Sequence, residues 1–181
     1  MSKQNSRSYR LMILAVLLFV VVFLIFVFMP GKTTTVTEER AEDVTQYLDC
    51  NIKGAEHPLL GDVKDDIDFN VKIKFLNDKV ANLNLKISKD FKDEALAESF
   101  VNEIHANFDI YKGKNDIPSK GLTPSYNYVD GSGRMTLFMD GSSLNYKTAP
   151  LMMLDNEVVN NIAIDNFSEY YKKNGFSCDE K

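Results

Sequence analysis

Two neighbouring stretches of alternating apolar and polar side chains constrain the fold of this 181-residue chain most strongly. In IDFNVKIKF, residues 67–75, every second side chain is apolar, and VANLNLKIS, residues 80–88, resumes the alternation. A period of two is typical of a β-strand with one buried face and one solvent-exposed face. Because Asn77-Asp78-Lys79 has the composition of a turn, the two stretches predict an antiparallel hairpin.

An amphipathic helix is predicted directly after this hairpin. Ser88 and Asp90 are candidate N-cap residues. The apolar residues that follow recur at helical spacing over about five turns, and they are Leu96, Ala97, Phe100, Val101, Ile104 and Phe108. This stripe is expected to pack on the apolar face of the hairpin.

The same order of elements returns after a loop rich in Gly and Pro, residues 111–124. SYNYV and RMTLFM flank the turn DGSG and predict a second hairpin. A second helix is predicted from Asp155 to the stop signal Asn174-Gly175, with a stripe of Val159, Ile162, Ala163, Phe167 and Tyr170. The predicted fold class is α+β, with two strand–strand–helix units forming an antiparallel sheet of about four strands and helices on one face.

An uninterrupted apolar run lies near the N-terminus. Residues 11–29 contain no charge, Asn, Gln or Gly, and a helix of that length spans roughly 28 Å, about one hydrocarbon core. The apolar region of a signal peptide is usually shorter and ends in small residues, whereas this run ends in bulky ones. The run therefore predicts an uncleaved transmembrane anchor, with a cleaved signal sequence as the alternative.

The charges around this run predict its orientation. Lys3, Arg7 and Arg10 lie in residues 1–10, which contain no acid. Positive charge is retained on the cytoplasmic side, so residues 1–10 are expected in the cytoplasm. The expected localisation is the cell membrane, single-pass, with residues 50–181 forming an extracytoplasmic domain.

A spacer is predicted between the anchor and the domain, over residues 30–49. Thr35 and Glu38 have the spacing of a capping box. A short helix is expected to follow, on the strength of Val44, Tyr47 and Leu48, and to end near Cys50.

The net charge limits the class of partner. All 26 acidic residues follow residue 30, whereas three of the 21 basic residues precede it, so residues 31–181 carry a net charge of −8. Such a charge argues against nucleic acid and against electrostatic docking on anionic lipid. A protein or cell-envelope partner is compatible with it, and the oligomeric state stays open.

Two cysteines bracket the domain. Cys50 and Cys178 form an even pair, which suggests a disulfide in an oxidising compartment, and two unrelated thiols are the alternative. The histidines, His57 and His105, are too few and too far apart in sequence to predict a metal site or a Cys–His nucleophile. No cofactor is expected.

A calcium site is considered at the start of the first hairpin. Asp66, Asp68 and Asn70 match the first three ligand positions of an EF-hand loop. Val71 stands where the loop needs Gly, and Asn77 where it needs a bidentate Glu. The neighbouring Asp62 and Asp65, and the Asp-Gly steps at Asp130 and Asp140, are explained as a solvated strand entrance and as turns, so no metal is predicted.

The sequence is similar to one known family. The order of hairpin, helix, second hairpin and closing helix, with FNVKIKFLNDKV and EYYKKNGF, resembles the YehR-like family of small bacterial lipoproteins over residues 67–178. The resemblance implies an extracytoplasmic, membrane-held α+β domain of no established biochemical role, with no catalytic residues to carry over. The chain departs from the family at its N-terminus, where an apolar run replaces the lipid-modified cysteine.

The expected function is a non-catalytic binding or interaction module of the cell envelope, because no short catalytic motif occurs in the sequence. Tyr126, Tyr128 and Tyr146 are candidate contact residues, and they suit strand packing equally well. Two alternatives stay open, an accessory subunit of a membrane protein complex and a small surface enzyme.

Overall fold

The computed structural model describes residues 43–61, 66–159 and 163–181. Strands and helices of the described residues follow the chain in the order β1 Thr45–Lys53, β2 Asp68–Leu76, β3 Lys79–Asp90, α1 Glu94–Asn115, β4 Leu122–Val129, β5 Ser132–Asp140, α2 Asn156–Val159, α3 Ile164–Lys173 and β6 Ser177–Glu180. Two 3₁₀ turns, Gly141–Ser143 and Ala149–Met152, lie between β5 and α2.

The strands form one antiparallel sheet in the order β4-β5-β3-β2-β1-β6. Both predicted hairpins are confirmed, as β2–β3 and β4–β5. Asn77 and Asp78 have φ values of 51° and 60°, and Asp130 and Gly131 have values of 53° and 73°. Two central residues with positive φ are what a tight two-residue hairpin turn requires. The hairpins join through β3 and β5, which pair over their whole shared length.

The core lies on one face of the sheet. Alternate side chains of the four central strands are buried there, and they include Leu48, Cys50, Phe69, Val71, Ile73, Phe75, Leu83, Leu85, Ile87, Met135, Leu137 and Met139. Helix α1 buries the predicted stripe from Ala97 to Phe108. The first residue of that predicted stripe, Leu96, is instead 51% exposed. The predicted N-cap candidates Ser88 and Asp90 both belong to β3, which continues through Asp90. The N-cap of α1 is Asp93, whose Oδ1 accepts a hydrogen bond from the N–H of Leu96.

A glycine on β5 allows α1 to approach the sheet closely. A Cβ at Gly133 would lie 2.8 Å from Cδ1 of Phe100 and 2.9 Å from the carbonyl oxygen of Ala97. We expect Gly133→Ala to lower the free energy of unfolding by about 1–3 kcal/mol through overpacking, as measured by urea denaturation. The control is Gly113→Ala on the exposed side of α1, where an added Cβ meets nothing within 4 Å. Equal stability of the two variants would contradict the close contact.

The predicted fold class is wrong in its strand number. The described residues contain six strands rather than about four, because β1 precedes and β6 follows the two strand–strand–helix units in the chain. Both extra strands lie on the β2 side of the sheet. The short helix predicted to end near Cys50 is instead the strand β1. Its nine residues pair with β2, and Leu48 and Cys50 point into the core. Strand β6, which was not predicted, adds to the other edge of β1.

The second predicted helix is divided in the structure. Residues 156–159 and 164–173 are helical, and Ala163 before the second segment has an extended ψ of 146°. Of the predicted stripe, Phe167 is fully buried, and Val159 and Tyr170 are half-buried against the core. Ala163 is exposed, and Ile162 lies outside the described residues.

The predicted anchor, residues 11–29, lies outside the described residues, as do the cytoplasmic tail and most of the spacer. Over residues 43–61, 66–159 and 163–181, no helix combines the length and the apolar character that crossing a membrane requires. The prediction of a single-pass membrane protein with an extracytoplasmic domain therefore receives no support from the described residues. The predicted signal anchor and the lipoprotein-like description likewise receive no support from the described residues.

Candidate functional site

The side of the sheet opposite the core is lined by polar side chains that are half-buried or exposed. We call this surface the open face. Its polar residues on β1 to β5 include Asp49, Asn51, Lys53, Asp68, Asn70, Lys72, Lys74, Asn82, Asn84, Lys86, Ser88, Asp90, Thr123, Ser125, Asn127, Ser132, Arg134 and Thr136. The exposed apolar residues Tyr47, Leu76, Val129 and Phe138 share this face. An antiparallel sheet commonly has one solvated face, and the alternation along the strands places these side chains together there, despite a register shift of β2 against β3 between Lys74 and Phe75.

A cleft of about 530 Å³ lies over one end of the open face. Its charged lining residues are Lys53, Asp68, Lys86, Asp90 and Arg134. Asn51, Asn70, Ser88 and Ser132 supply amide and hydroxyl groups to the same cleft. The cleft therefore combines both signs of charge with neutral hydrogen-bonding groups.

The strand register explains how the cleft residues come together. Asp68 of β2 lies opposite Lys53 of β1 and opposite Ser88 of β3. Ser88 in turn lies opposite Arg134 of β5, so one row of directly facing side chains crosses four strands. Side chains that face each other in this way lie about 4.5–5.5 Å apart at Cβ.

Part of the charge on the open face is neutralised internally. Lys72 Nζ lies 3.2 Å from Asp49 Oδ2, and Lys53 Nζ lies 4.0 Å from Asp68 Oδ1. Asn70 Nδ2 donates to Asp49 Oδ1 at 2.6 Å. These carboxylates are thus committed to neighbours on the same face.

Other cations of the open face keep their charge unpaired. Within the described part of the chain, no ion pair or hydrogen bond joins the side chains of Lys74, Lys86 or Arg134 to a partner. Arg134 is exposed and Lys86 is half-buried beside it. A guanidinium and an ammonium without carboxylate partners are free to bind an external anionic group.

The structure joins the predicted cysteine pair. Cys50 and Cys178 form a disulfide between directly opposed positions of β1 and β6, on the core side of the sheet. The disulfide belongs to the core and not to the open face, because Cys50 is fully buried and the open face lies on the other side of β1.

The two histidines have separate neighbours. His57 is buried, its Nε2–H donates to the carbonyl oxygen of Leu151, and its Nδ1 accepts the N–H of Leu59, each at 3.2 Å. Burial lowers the pKa of His57 to about 4, so the ring is neutral near pH 7. His105 is exposed, stacks on Tyr126 at 4.3 Å between ring centroids, and lies 3.6 Å from Asp109.

The acidic residues considered for calcium are held by other contacts. Asp66 pairs with Lys89, and Asp140 accepts hydrogen bonds from Ser142, while Asp62 and Asp65 lie outside the described residues. Among the described His, Cys, Asp and Glu residues, no group of three or more is placed to hold a metal ion.

The three candidate tyrosines do not form one patch. Tyr126 is half-buried, and burial together with the charge of Asp109 raises its pKa to about 12. The hydroxyl of Tyr128 donates to Glu98 at 3.3 Å, and the alternation of β4 places both tyrosines on the side of the strand that faces α1. Tyr146, 65% exposed, lies apart in the segment between the 3₁₀ turns.

The fold is thus a six-stranded antiparallel α+β domain with one polar, open face. No family model and no curated protein matches the chain. Two similar solved structures, both determined by NMR, are the Escherichia coli YehR protein and a protein from Streptococcus pneumoniae TIGR4. The first is 13% identical, covers 62% of this chain and 82% of its own, and has a TM-score of 0.47. The second is 18% identical, covers 78% and 87%, and has a TM-score of 0.38.

These likenesses support the predicted YehR resemblance only in part. A YehR structure is among the similar folds, but both TM-scores are below 0.5. Neither likeness therefore supports a statement about the function of this chain.

Proposed function

We propose that this chain is a non-catalytic binding module whose open face contacts its partner. The observation that supports the proposal is the contrast between the two sides of the sheet. One side is used entirely for the core, whereas the other leaves Lys74, Lys86 and Arg134 unpaired beside neutral hydrogen-bonding groups. Membership of the YehR-like family belongs to the same proposal and is supported by the sequence pattern of residues 67–178.

An aromatic residue adds apolar contact area to the open face. Phe138 points away from the core and is 38% exposed, with Asn84 opposite it on β3 and Thr123 opposite it on β4. Exposed aromatic rings and Arg are the side chains that contribute most to binding surfaces. Phe138 and Arg134 are therefore the residues whose removal should weaken binding most.

Site-specific photo-crosslinking in the native cells tests this proposal. A benzophenone side chain is introduced at Ser125 or Thr136 on the open face, and at Ala106 on the exposed side of α1 as the control. We expect a crosslinked product from the open-face positions and not from Ala106, because the binding surface is confined to one side of the sheet. Adding Phe138→Ala and Arg134→Gln together should reduce the open-face product at least tenfold.

Two results would reject the proposal. One is the absence of crosslinking from both Ser125 and Thr136, whether or not Ala106 crosslinks. The other is open-face crosslinking that is unchanged when Phe138 and Arg134 are replaced. Far-ultraviolet circular dichroism of each variant confirms that loss of crosslinking does not reflect unfolding.

A further inference from the structure

We propose that the open face binds a linear acidic carbohydrate, whose sugars carry carboxylate groups, along a diagonal row of three cations. We call Lys72, Lys86 and Arg134 the cationic row. The inference rests on the proposed function, since it assigns a ligand class to the same surface.

The register of the sheet makes this row straight. Lys72 of β2 faces Asn84, which is two residues from Lys86 on β3. Lys86 faces Thr136, which is two residues from Arg134 on β5. Each step thus moves one strand across and two residues along, a Cα separation of about 8 Å given the usual strand spacing and rise. The three cations therefore mark a line of about 16 Å across the sheet.

The charge along the row suits an anion of low charge density. Lys86 and Arg134 form no ion pair among the described residues, although Asp68 and Asp90 line the same cleft, and Asp49 partly neutralises Lys72. Acidic residues outnumber basic ones over the described ranges, so the domain as a whole repels a densely charged polymer such as nucleic acid. A chain with one carboxylate per sugar places fewer charges near the acidic remainder of the domain, and Arg134 can bind such a carboxylate bidentately.

The neutral side chains between the cations suit sugar hydroxyl groups. Asn84, Ser88 and Thr136 flank the row on β3 and β5 and combine hydrogen-bond donors with acceptors. A sugar hydroxyl both donates and accepts, and can therefore bond to each of them. Phe138, two residues from Thr136 on the same face, provides an apolar ring for the C–H face of a sugar.

Titration of the full-length chain with a fluorescent oligogalacturonate, followed by anisotropy, tests the inference. We expect saturable binding that weakens as salt concentration rises. Lys86→Gln and Arg134→Gln should each weaken binding about two- to fivefold, as expected for exposed charge contacts, and the double variant more than either. The matched control is Lys114→Gln, which removes an exposed cation of α1 and should leave the affinity unchanged.

Three comparison ligands test whether the bound class is an acidic carbohydrate. Neutral malto-oligosaccharide, oligoglutamate and oligothymidylate of similar length are titrated under the same conditions. We expect each to bind at least tenfold more weakly than oligogalacturonate, because the first lacks charge and the others lack the sugar ring. Equal binding of oligoglutamate or oligothymidylate, or an unchanged affinity of the double variant, would overturn the inference.

Failure of this inference is distinguishable from failure of the proposed function. If oligogalacturonate does not bind but Ser125 and Thr136 still crosslink in cells, the open face binds a partner of another class and only the carbohydrate assignment is lost. If oligogalacturonate does not bind and the open face does not crosslink, both proposals are rejected.

Discussion

Removal of the Cys50–Cys178 disulfide is expected to lower the free energy of unfolding by about 4–5 kcal/mol on the chain-entropy model. The two cysteines are 128 positions apart, so the bond closes a loop that includes most of the described residues. Opening that loop increases the conformational freedom of the unfolded chain much more than that of the folded one. Guanidinium denaturation of the double variant Cys50→Ala, Cys178→Ala measures the loss.

Reduced wild-type protein is the matched control for this experiment, because its thiols keep the volume of the buried Cys50 side chain. We expect it to lose nearly as much stability as the double variant. Strand β6 should be the first element to lose protection from hydrogen exchange, since it is four residues long and β1 is its one partner among the described strands. A loss below 1 kcal/mol in the reduced protein would show that the unfolded chain is already restricted without the bond.

The second large expected effect is a loss of stability on acidification that depends on His57. The pKa of His57 is about 4 in the folded protein against 6.5 for the free side chain, because burial disfavours the charged ring. Below pH 6.5 the unfolded chain takes up a proton that the folded chain does not. The contribution of the neutral ring is therefore fully present above pH 6.5, and about 3 kcal/mol of it is lost as the pH falls to about 4.

The variant His57→Asn isolates this effect from the titration of carboxylates. Asn retains an acceptor for the N–H of Leu59 but does not titrate. The free energy of unfolding of this variant should therefore decrease less than that of the wild type as the pH is lowered. The stability difference between the two proteins should narrow by about 3 kcal/mol between pH 7 and pH 4. His105→Asn, which replaces the exposed ring beside Asp109, is the control for the loss of an imidazole. Parallel curves for the wild type and His57→Asn would contradict the assignment.

The buried hydrogen bonds of His57 could not be predicted from the sequence. The residue lies in a loop, and its partner Leu151 is 94 positions away, in the second 3₁₀ turn. The carbonyl of Leu59 in the same loop accepts a hydrogen bond from Asn107 of α1 at 3.0 Å. No local sequence pattern predicts contacts between residues so far apart in the chain, because such contacts depend on how α1 and the 3₁₀ turns pack over the sheet.

The strand β1 illustrates a conflict between local pattern and pairing. Val44, Tyr47 and Leu48 have helical spacing, which favoured a short helix. In the structure, β1 has β2 on one side and β6 on the other, and the hydrogen bonds to both neighbours outweigh that weak preference. The error in the strand number follows from the same cause, since β6 exists as a strand only beside β1.

The sequence by itself determined the two hairpins, the apolar stripe of α1 and the α+β class, because these depend on side-chain period and on turn residues close together in the chain. The cysteine pair was also proposed from the sequence alone. Only the tertiary structure decided the order of the six strands and their register. That register brings Lys72, Lys86 and Arg134, from three different strands, into one line. A local period says which face a residue occupies, whereas only pairing between distant strands says which residues are neighbours on that face.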